Sequence, residues 1–255
     1  MTKLYHIGFG QDDLGSNPPT VALLSGDPQR AEDIAQRHLE GVRILSTHRG
    51  LHSYVGQTSG GATLLAATSG MGAPSLSIVV NELVQVGIRT IIRIGTCGSI
   101  QPQVEVGSVV ISSGALCTQG AAQDVAPSEY PAVADPFLTV ALADAAKTLG
   151  IDYHVGLTAS VDTFYEGQGR RSSANTSLLP ELRERLQTYR DLNILNFEME
   201  AGTLFKMGSV YGFRAACVCG VVAQRTQSEE VVLEGKAGAV ENAIRVALEC
   251  CKTLT

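Results

Sequence analysis

Two glutamates separated by one residue stand at the end of an apolar run, in the stretch ILNFEMEAG. Carboxylates are rarely fully buried, because removing their charge from water is costly. If this stretch is a strand, Glu198 and Glu200 lie on one face of it. A carboxylate there can accept hydrogen bonds from the vicinal hydroxyls of a sugar. The alternative is structural, with Glu200 as a favourable charge in the first turn of a following helix.

Three arginines are candidates for binding an anion. In SGDPQR, Gly26 lies where an apolar strand turns into a helix, so that backbone amides and Arg30 could reach the same anion. The alternative there is a capped turn with a surface arginine. In RIGTCGS, Arg93 lies inside the apolar run TIIRIG and therefore needs a ligand or an internal carboxylate as its partner. Arg49, in STHRG, is uninformative by itself.

A third candidate site is the stretch DTFYEGQGR, which begins a long polar segment rich in Gly and Ser. Phe164 could stack on a flat ring, and Gln168 and Arg170 would face the same way if the stretch is extended. An amide and a guanidinium together match the edge of a pyrimidine dione, which presents carbonyl acceptors and one N–H donor. The alternative is a solvated loop. Segments of this length, here Thr163–Pro180, are often functional lids.

The composition narrows the class of protein. The chain has 255 residues, 44% of them hydrophobic and 17% charged, with a net charge of −6. This predicts a compact protein, and the lack of a basic run argues against a nucleic-acid partner. The beginning of the sequence is too polar for a signal peptide, and no apolar run could span a bilayer. We therefore expect no membrane partner.

The cysteines and histidines do not predict a metal site. Cys217 and Cys219 alternate in ACVCGVV, which is more typical of a buried strand than of metal ligands. The six cysteines suggest no disulfide framework, and the five histidines show no zinc spacing. These observations favour a reducing, cytoplasmic compartment.

Apolar β-branched runs alternate with amphipathic segments, which predicts one α/β domain over residues 1–255. Consecutive strands in the first third indicate a mixed sheet. The predicted strands are Val21–Ser25, Leu51–Gln57, Ala62–Thr68, Thr90–Ile94, Gly107–Ser112, Tyr153–Ser160, Ile194–Phe197 and Ala215–Ala223. The predicted helices are Pro28–Arg37, Pro74–Val86, Pro136–Leu149, Pro180–Gln187, Glu200–Tyr211 and Lys236–Lys252.

Taken together, the motifs resemble the hexameric nucleoside phosphorylase family, in order and over essentially the whole chain. They are YHIGF, LLSGDPQR, THRG, SGMGAPSLSI, RIGTCGSIQPQVEVGSVV, DTFYEGQGR, NFEMEAGTLF and GVVAQRTQ. GDP-x-R, RIGT and EME are shared across the family, whereas the F-Y-x-G-Q-x-R loop is similar to its uridine-specific branch. Purine enzymes of the family carry a Ser-Asp pair where this chain has QRTQ, which argues against a purine substrate.

The resemblance implies a three-layer fold with a mixed, twisted β-sheet surrounded by helices, assembled through dimers into a homohexamer. It implies a pentosyltransferase of pyrimidine salvage. The reaction is the reversible phosphorolysis of uridine, and of deoxyuridine, to uracil and ribose 1-phosphate. Inorganic phosphate is the co-substrate, and neither a metal nor an organic cofactor is implied.

The resemblance also assigns roles to residues, with Arg30, Arg93 and Arg170 as the catalytic ones. The phosphate ligands it implies are Gly26, Arg30, Arg93 and Thr96, with Arg49 supplied by a neighbouring subunit. The ribose ligands are Thr96, Met199 and Glu200, with His6 supplied by the neighbour. The base ligands are Phe164, Gln168, Arg170, Val222 and Arg225. Glu198 has a supporting role in orienting the base-binding loop.

Two positions depart from the family pattern. Cys97 stands where relatives often have threonine or serine, and a thiol is the weaker hydrogen-bond donor. Gly50 stands where some bacterial relatives have a glutamate that binds a monovalent cation, so we do not expect that cation here. Two other functions remain open at this stage. One is a nucleosidase that uses water, and the other is a nucleoside-binding protein without catalysis.

Overall fold

A computed structural model describes residues 3–226 and 233–254. The helices within these ranges are α1 (Pro28–His38), α2 (Ala73–Gln85), α3 (Gly120–Val125), α4 (Pro136–Thr148), α5 (Pro180–Arg183), α6 (Arg185–Asp191), α7 (Ala201–Tyr211) and α8 (Leu233–Cys251). The strands are β1 (Val21–Ser25), β2 (Glu40–Ser46), β3 (Ser53–Gln57), β4 (Thr63–Thr68), β5 (Thr90–Ser99), β6 (Val109–Cys117), β7 (Tyr153–Ser160), β8 (Asn196–Glu198) and β9 (Arg214–Gln224).

The described strands form one mixed sheet in the order β2-β3-β4-β1-β5-β8-β7-β6-β9. Its centre is parallel, with β1 between β4 and β5. The strand β9 pairs with β6 at one side and, in parallel, with β5 at the other. The five strands β5, β8, β7, β6 and β9 therefore close into a ring, and β5 is hydrogen-bonded to three neighbours.

The helices cover both faces of this sheet, where they bury two apolar cores. Two of them begin in the same way, with proline as the first residue and an aspartate as the N-cap. Asp27 accepts a hydrogen bond from the amide of Gln29, and Asp135 accepts one from the amide of Leu138. These caps satisfy amides that have no partner inside the helix. The mixed sheet between helices confirms the predicted fold class.

Most predicted elements are present, and the differences have physical reasons. The bounds of β1 and β7 agree with the prediction, whereas β5 continues past Ile94 to Ser99 because it stays paired with β9. Two elements were not predicted, namely β2, an edge strand with exposed residues, and the short α3. The predicted helix over 180–187 is two short helices, α5 and α6. No described helix is long and apolar enough to cross a membrane.

Candidate active site

A cavity of about 470 Å³ lies at the ends of β1, β5, β8 and β9. Ligands of α/β proteins commonly bind at such strand ends. All but three of the residues predicted for the site line this cavity. The lining members of that set are Gly26, Arg30, Arg93, Thr96, Phe164, Gln168, Arg170, Glu198, Met199, Glu200 and Val222.

Arg93 lines the cavity and is buried. Its Nε donates to Glu198 Oε2 at 3.1 Å, and its Nη2 donates to Glu200 Oε2. Burial lowers the pKa of Arg93, but Glu200 and Glu198 together raise it above the ordinary value. Among the described residues, its Nη1 has no hydrogen-bond partner. Both sequence-based alternatives therefore apply, because Arg93 is ion-paired and still has one donor for a ligand.

Arg30, on α1, reaches the same cavity from the other side. Its Nη1 donates to the carbonyl of Ile94 at 3.0 Å, and its Nε is unpaired among the described residues. Burial, followed by the charge of Arg93, lowers the pKa of Arg30. Two buried guanidinium groups that repel each other favour an anion between them. Gly26 adjoins this position, where a Cβ would lie 3.9 Å from Arg93 Nη1.

Glu198 and Glu200 have different roles in this geometry. Glu198 Oε2 accepts from the amides of Glu200 and Ala201 at 2.8 and 2.9 Å, while its Oε1 accepts from the Ser160 hydroxyl. Burial raises the pKa of Glu198 to about 7, although Arg93 opposes the shift. Glu198 therefore caps α7 and is bonded to the end of β7, just before the base-binding loop.

Glu200 points into the cavity. Its Oε1 accepts from the amide of Gly72 at 2.6 Å, and its Oε2 accepts from Arg93. Glu200 is the N-cap residue of α7 and does not lie in its first turn, and its side chain makes no cap hydrogen bond. A carboxylate held at both oxygens keeps a fixed orientation and retains lone pairs for further donors.

The base-binding candidates meet at the other end of the cavity. The Arg170 guanidinium carbon lies 4.0 Å from the centre of the Phe164 ring, and Arg170 Nε donates to Gln168 Oε1 at 3.3 Å. Gln168 and Arg170 are 3% and 4% exposed, which excludes a solvated loop. The stretch does not have the extended conformation under which the two side chains were expected to face the same way; it turns at Gly169, whose φ is 63°. The turn still brings both side chains to one cavity.

Three predicted residues do not line the cavity. Arg225 supports the base-binding loop instead, since its Nη1 donates to the carbonyl of Gln168 at 2.8 Å. His6 pairs with Glu82 at 2.7 Å. Arg49 is exposed, with its guanidinium carbon 5.8 Å from the centre of the Tyr5 ring, and Tyr5 also contacts His6. His6 and Arg49 therefore lie together on the outer surface of this chain.

The loop 69–72, part of the SGMGAPSLSI motif, was not among the predicted site residues. Gly70 and Gly72 have φ values of 72° and 85°, which glycine adopts without strain. This backbone directs the Gly72 amide to Glu200 and places Met71 in the cavity wall. Lys236 and Asp27 also line the cavity. The two glycines of SGMG, directly after a strand, were the available signal for this loop. The residue that the loop contacts, Glu200, lies in a distant part of the sequence.

Two thiols, those of Cys217 and Cys219, lie near Arg93 in the interior, and a third, that of Cys97, neighbours Cys219. The sulfurs of Cys217 and Cys219 are 3.6 Å apart, and both side chains are fully buried, as the alternating pattern predicted. Cys97 lines the cavity, and burial raises the pKa of its thiol well above the ordinary value. Within the described ranges, no group of three or more His, Cys, Asp or Glu residues is arranged to hold a metal ion.

The fold and this site define a class of protein. The chain belongs to the phosphorylase superfamily, whose family model matches residues 20–254. The resemblance seen in the motifs is thereby confirmed.

Several relatives cover 90% or more of the chain. Uridine phosphorylase of Klebsiella aerogenes is 38% identical over 253 residues, which cover 99% of this chain and 98% of the relative. That of Haemophilus influenzae is 42% identical over 90% of this chain and 89% of the relative. Guanosine phosphorylase of Halorubrum lacusprofundi is 32% identical over the full length of both chains. The uridine enzymes are therefore more similar to this chain than this purine enzyme is.

Proposed function

We propose that this protein is a pentosyltransferase that converts uridine and phosphate reversibly to uracil and ribose 1-phosphate, and that it accepts deoxyuridine as well. The observation that carries the proposal is the presence of Gln168 and Arg170 in the same cavity as Arg30 and Arg93. One end of the cavity thus suits a pyrimidine and the other suits an anion. The names of the relatives at 38–42% identity support the same substrate.

The arginine end suits phosphate. Arg30 Nε and Arg93 Nη1 are buried donors without partners among the described residues, and the Gly26 backbone adjoins them. A guanidinium offers donors in a fixed plane, which match the oxygens of phosphate. Glu200, which is bonded to Arg93, and its neighbour Met199 also line the cavity, where they would bind the sugar hydroxyls. Phosphate is thereby directed to the sugar carbon that bears the base.

The base end suits the edge of uracil. Gln168 Oε1 accepts one hydrogen bond from Arg170, which leaves a lone pair on Oε1 and the Nε2 donors. These match the ring N–H and one carbonyl of uracil. Arg170 is buried against Phe164, so its charge acts in a site with little water.

The proposed mechanism depends on where charge develops in the substrate during the reaction. As the bond between ribose and base breaks, the sugar becomes positive and the base becomes negative. Phosphate between the two arginines attacks the sugar carbon, and Glu200 with the Met199 segment holds the hydroxyls. Arg170 and Gln168 stabilise the uracil anion, an interaction that strengthens in the transition state. Holding both substrates in one cavity supplies further acceleration.

Release of uracil from uridine, measured with and without phosphate, tests the proposal. Phosphate-dependent release supports phosphorolysis. Equal release in phosphate-free buffer would identify a hydrolase, and binding of uridine without release would identify a non-catalytic binding protein. Guanosine is the matched control substrate, and faster phosphorolysis of guanosine than of uridine would contradict the pyrimidine assignment.

We further propose that the enzyme needs no metal or organic cofactor, and that it forms at least a dimer and, by resemblance, a hexamer. The outward position of Arg49 and His6 supports a site shared between subunits, because neither reaches the cavity of its own chain. Gly50 has no side chain that could bind an interface cation. The six free cysteines support a cytoplasmic location.

A further inference from the structure

The first turn of α7 is capped by three side chains from outside the helix. The amide of Ala201 donates to Glu198 at 2.9 Å, that of Gly202 donates to the Ser160 hydroxyl at 2.8 Å, and that of Thr203 donates to Gln119 Oε1 at 3.0 Å. Helix amides at this end have no partner within the helix. The residues before α7 are therefore fixed by contacts with β7, β8 and the segment that follows β6.

Gln119 differs from the other two capping residues because its side chain also donates to a backbone carbonyl before the helix. Its Nε2 bonds to the carbonyl of Met199 at 2.5 Å, while its Oε1 also accepts from the Thr203 hydroxyl at 2.8 Å. The amide at the other side of the same peptide, that of Glu200, donates to Glu198 at 2.8 Å. The peptide between Met199 and Glu200 is thus held at both its carbonyl and its amide, and both residues line the cavity.

We propose that Gln119 is a positioning residue that fixes the Met199–Glu200 peptide, so that the Glu200 carboxylate faces the hydroxyls of the sugar. This inference rests on the proposed function, and it identifies Gln119 as the residue that sets the selectivity of the enzyme for ribose. Gln119 is fully buried and does not line the cavity, so it acts through that peptide.

A capping role alone does not explain both the accepted and the donated hydrogen bonds of the Gln119 side chain. Capping Thr203 needs only the acceptor Oε1, whereas the donor Nε2 serves the Met199 carbonyl, which precedes the helix. Loss of that donor frees the peptide to rotate and leaves a buried carbonyl unpaired. A rotated peptide moves the Glu200 carboxylate relative to the 2′-hydroxyl, and a substrate without this hydroxyl is less affected.

The test uses Gln119→Leu, which removes both functions, and Gln119→Glu, which keeps the acceptor and, when ionised, lacks the donor. Gln101→Leu is the matched control. Gln101 is also buried, and its Nε2 donates to the carbonyls of Arg190 and Ile194, both at 3.0 Å, away from the cavity. For each variant of the full chain, kcat/KM is measured at pH 8 with uridine and with 2′-deoxyuridine, together with the Tm.

We expect the ratio of kcat/KM for uridine to that for 2′-deoxyuridine to fall about three- to tenfold in both Gln119 variants, the range for one hydrogen bond. In Gln101→Leu the ratio should stay at the wild-type value, even if the Tm of this variant falls as much as the Tm of the Gln119 variants. Equal losses with both substrates in the Gln119 variants would overturn the positioning role. Failure of the wild-type enzyme to release uracil with phosphate would instead overturn the proposed function, and this inference with it.

Discussion

Replacing Gly95 with alanine would place a methyl group against the guanidinium of Arg93. The added Cβ would lie 3.0 Å from Arg93 Nη2 and 2.7 Å from Cys219 Sγ, whereas ordinary contacts of a Cβ begin near 3.4 Å. Several tenths of an ångström of movement are therefore required. Cys219 is fully buried in the core, so we expect Arg93, which borders the cavity, to take most of the displacement.

The expected size of the effect follows from these contacts. An extra methylene in a packed core costs about 1–3 kcal/mol, which for a chain of this length lowers the Tm by about 2–12 °C. A misplacement near 1 Å in an active site costs on the order of 10²-fold in rate. Because the displacement here is smaller, we expect kcat/KM for phosphate to fall by about 10- to 100-fold.

The assay is phosphate saturation at a fixed, saturating concentration of uridine. Gly238→Ala is the control, because an added Cβ there, on α8, meets no atom within 4 Å. It should leave the kinetics unchanged and raise the stability by about 0.5–1 kcal/mol. The double variant Gly95→Ala/Cys219→Ala should recover the Tm more than the phosphate kinetics. Unchanged phosphate saturation in Gly95→Ala would refute the reasoning.

Three further predictions concern the ends of the cavity and its neighbours. Arg170→Ala should lower kcat/KM for uridine by about 10²–10³ and leave the KM for phosphate within about twofold; equal changes in both would contradict its role at the base. Glu198, whose pKa is raised to about 7, should gain a proton as the pH falls through 7 and release Arg93. Activity should therefore decline below pH 7 in the wild type, and Glu198→Gln should lack this limb. Since the folded pKa exceeds the unfolded one, the stability of the wild type relative to Glu198→Gln should fall as the pH rises from about 4.5 to 7; a rise would show that the shift has the opposite sign. Arg49→Ala and Arg170→Ala chains should regain activity when co-expressed, because a mixed pair contains one intact shared site. No recovery would place Arg49 in the site of its own chain.

Most of the fold could be predicted from local sequence patterns. The apolar run of β1 is bounded by the turn that starts α1, and Pro28 at the first helical position marks that boundary. By contrast, β2 is an exposed edge strand. Because its residues are not buried, they do not show the apolar pattern from which a strand can be predicted. The extension of β5 through Gly95 and Gly98 depends on pairing with β9, which lies far along the chain.

Site residues could be predicted where a sequence motif contains them. They could not be predicted where only contacts between distant segments bring them to the site. Arg93 could be recognised because a charge within an apolar run requires a partner. The Gly72 amide that holds Glu200 is 128 positions away from it, and Gln119 is 80 positions away from Met199. Neither pair is visible in a single sequence. The last residue of the QRTQ motif, Gln227, lies outside the described residues, so its placement stays a prediction.

The ion pairs of the cavity also determine how phosphate can be accommodated. Arg93 is already paired with Glu198 and Glu200, so a phosphate dianion between Arg30 and Arg93 enters a site whose positive charge is partly offset by two carboxylates. In the proposed assembly, Arg49 of a neighbouring subunit adds positive charge to this site. Phosphate affinity would then depend on assembly, and the specific activity would fall on dilution while each chain stays folded. Association between subunits would thus control catalysis through charge balance.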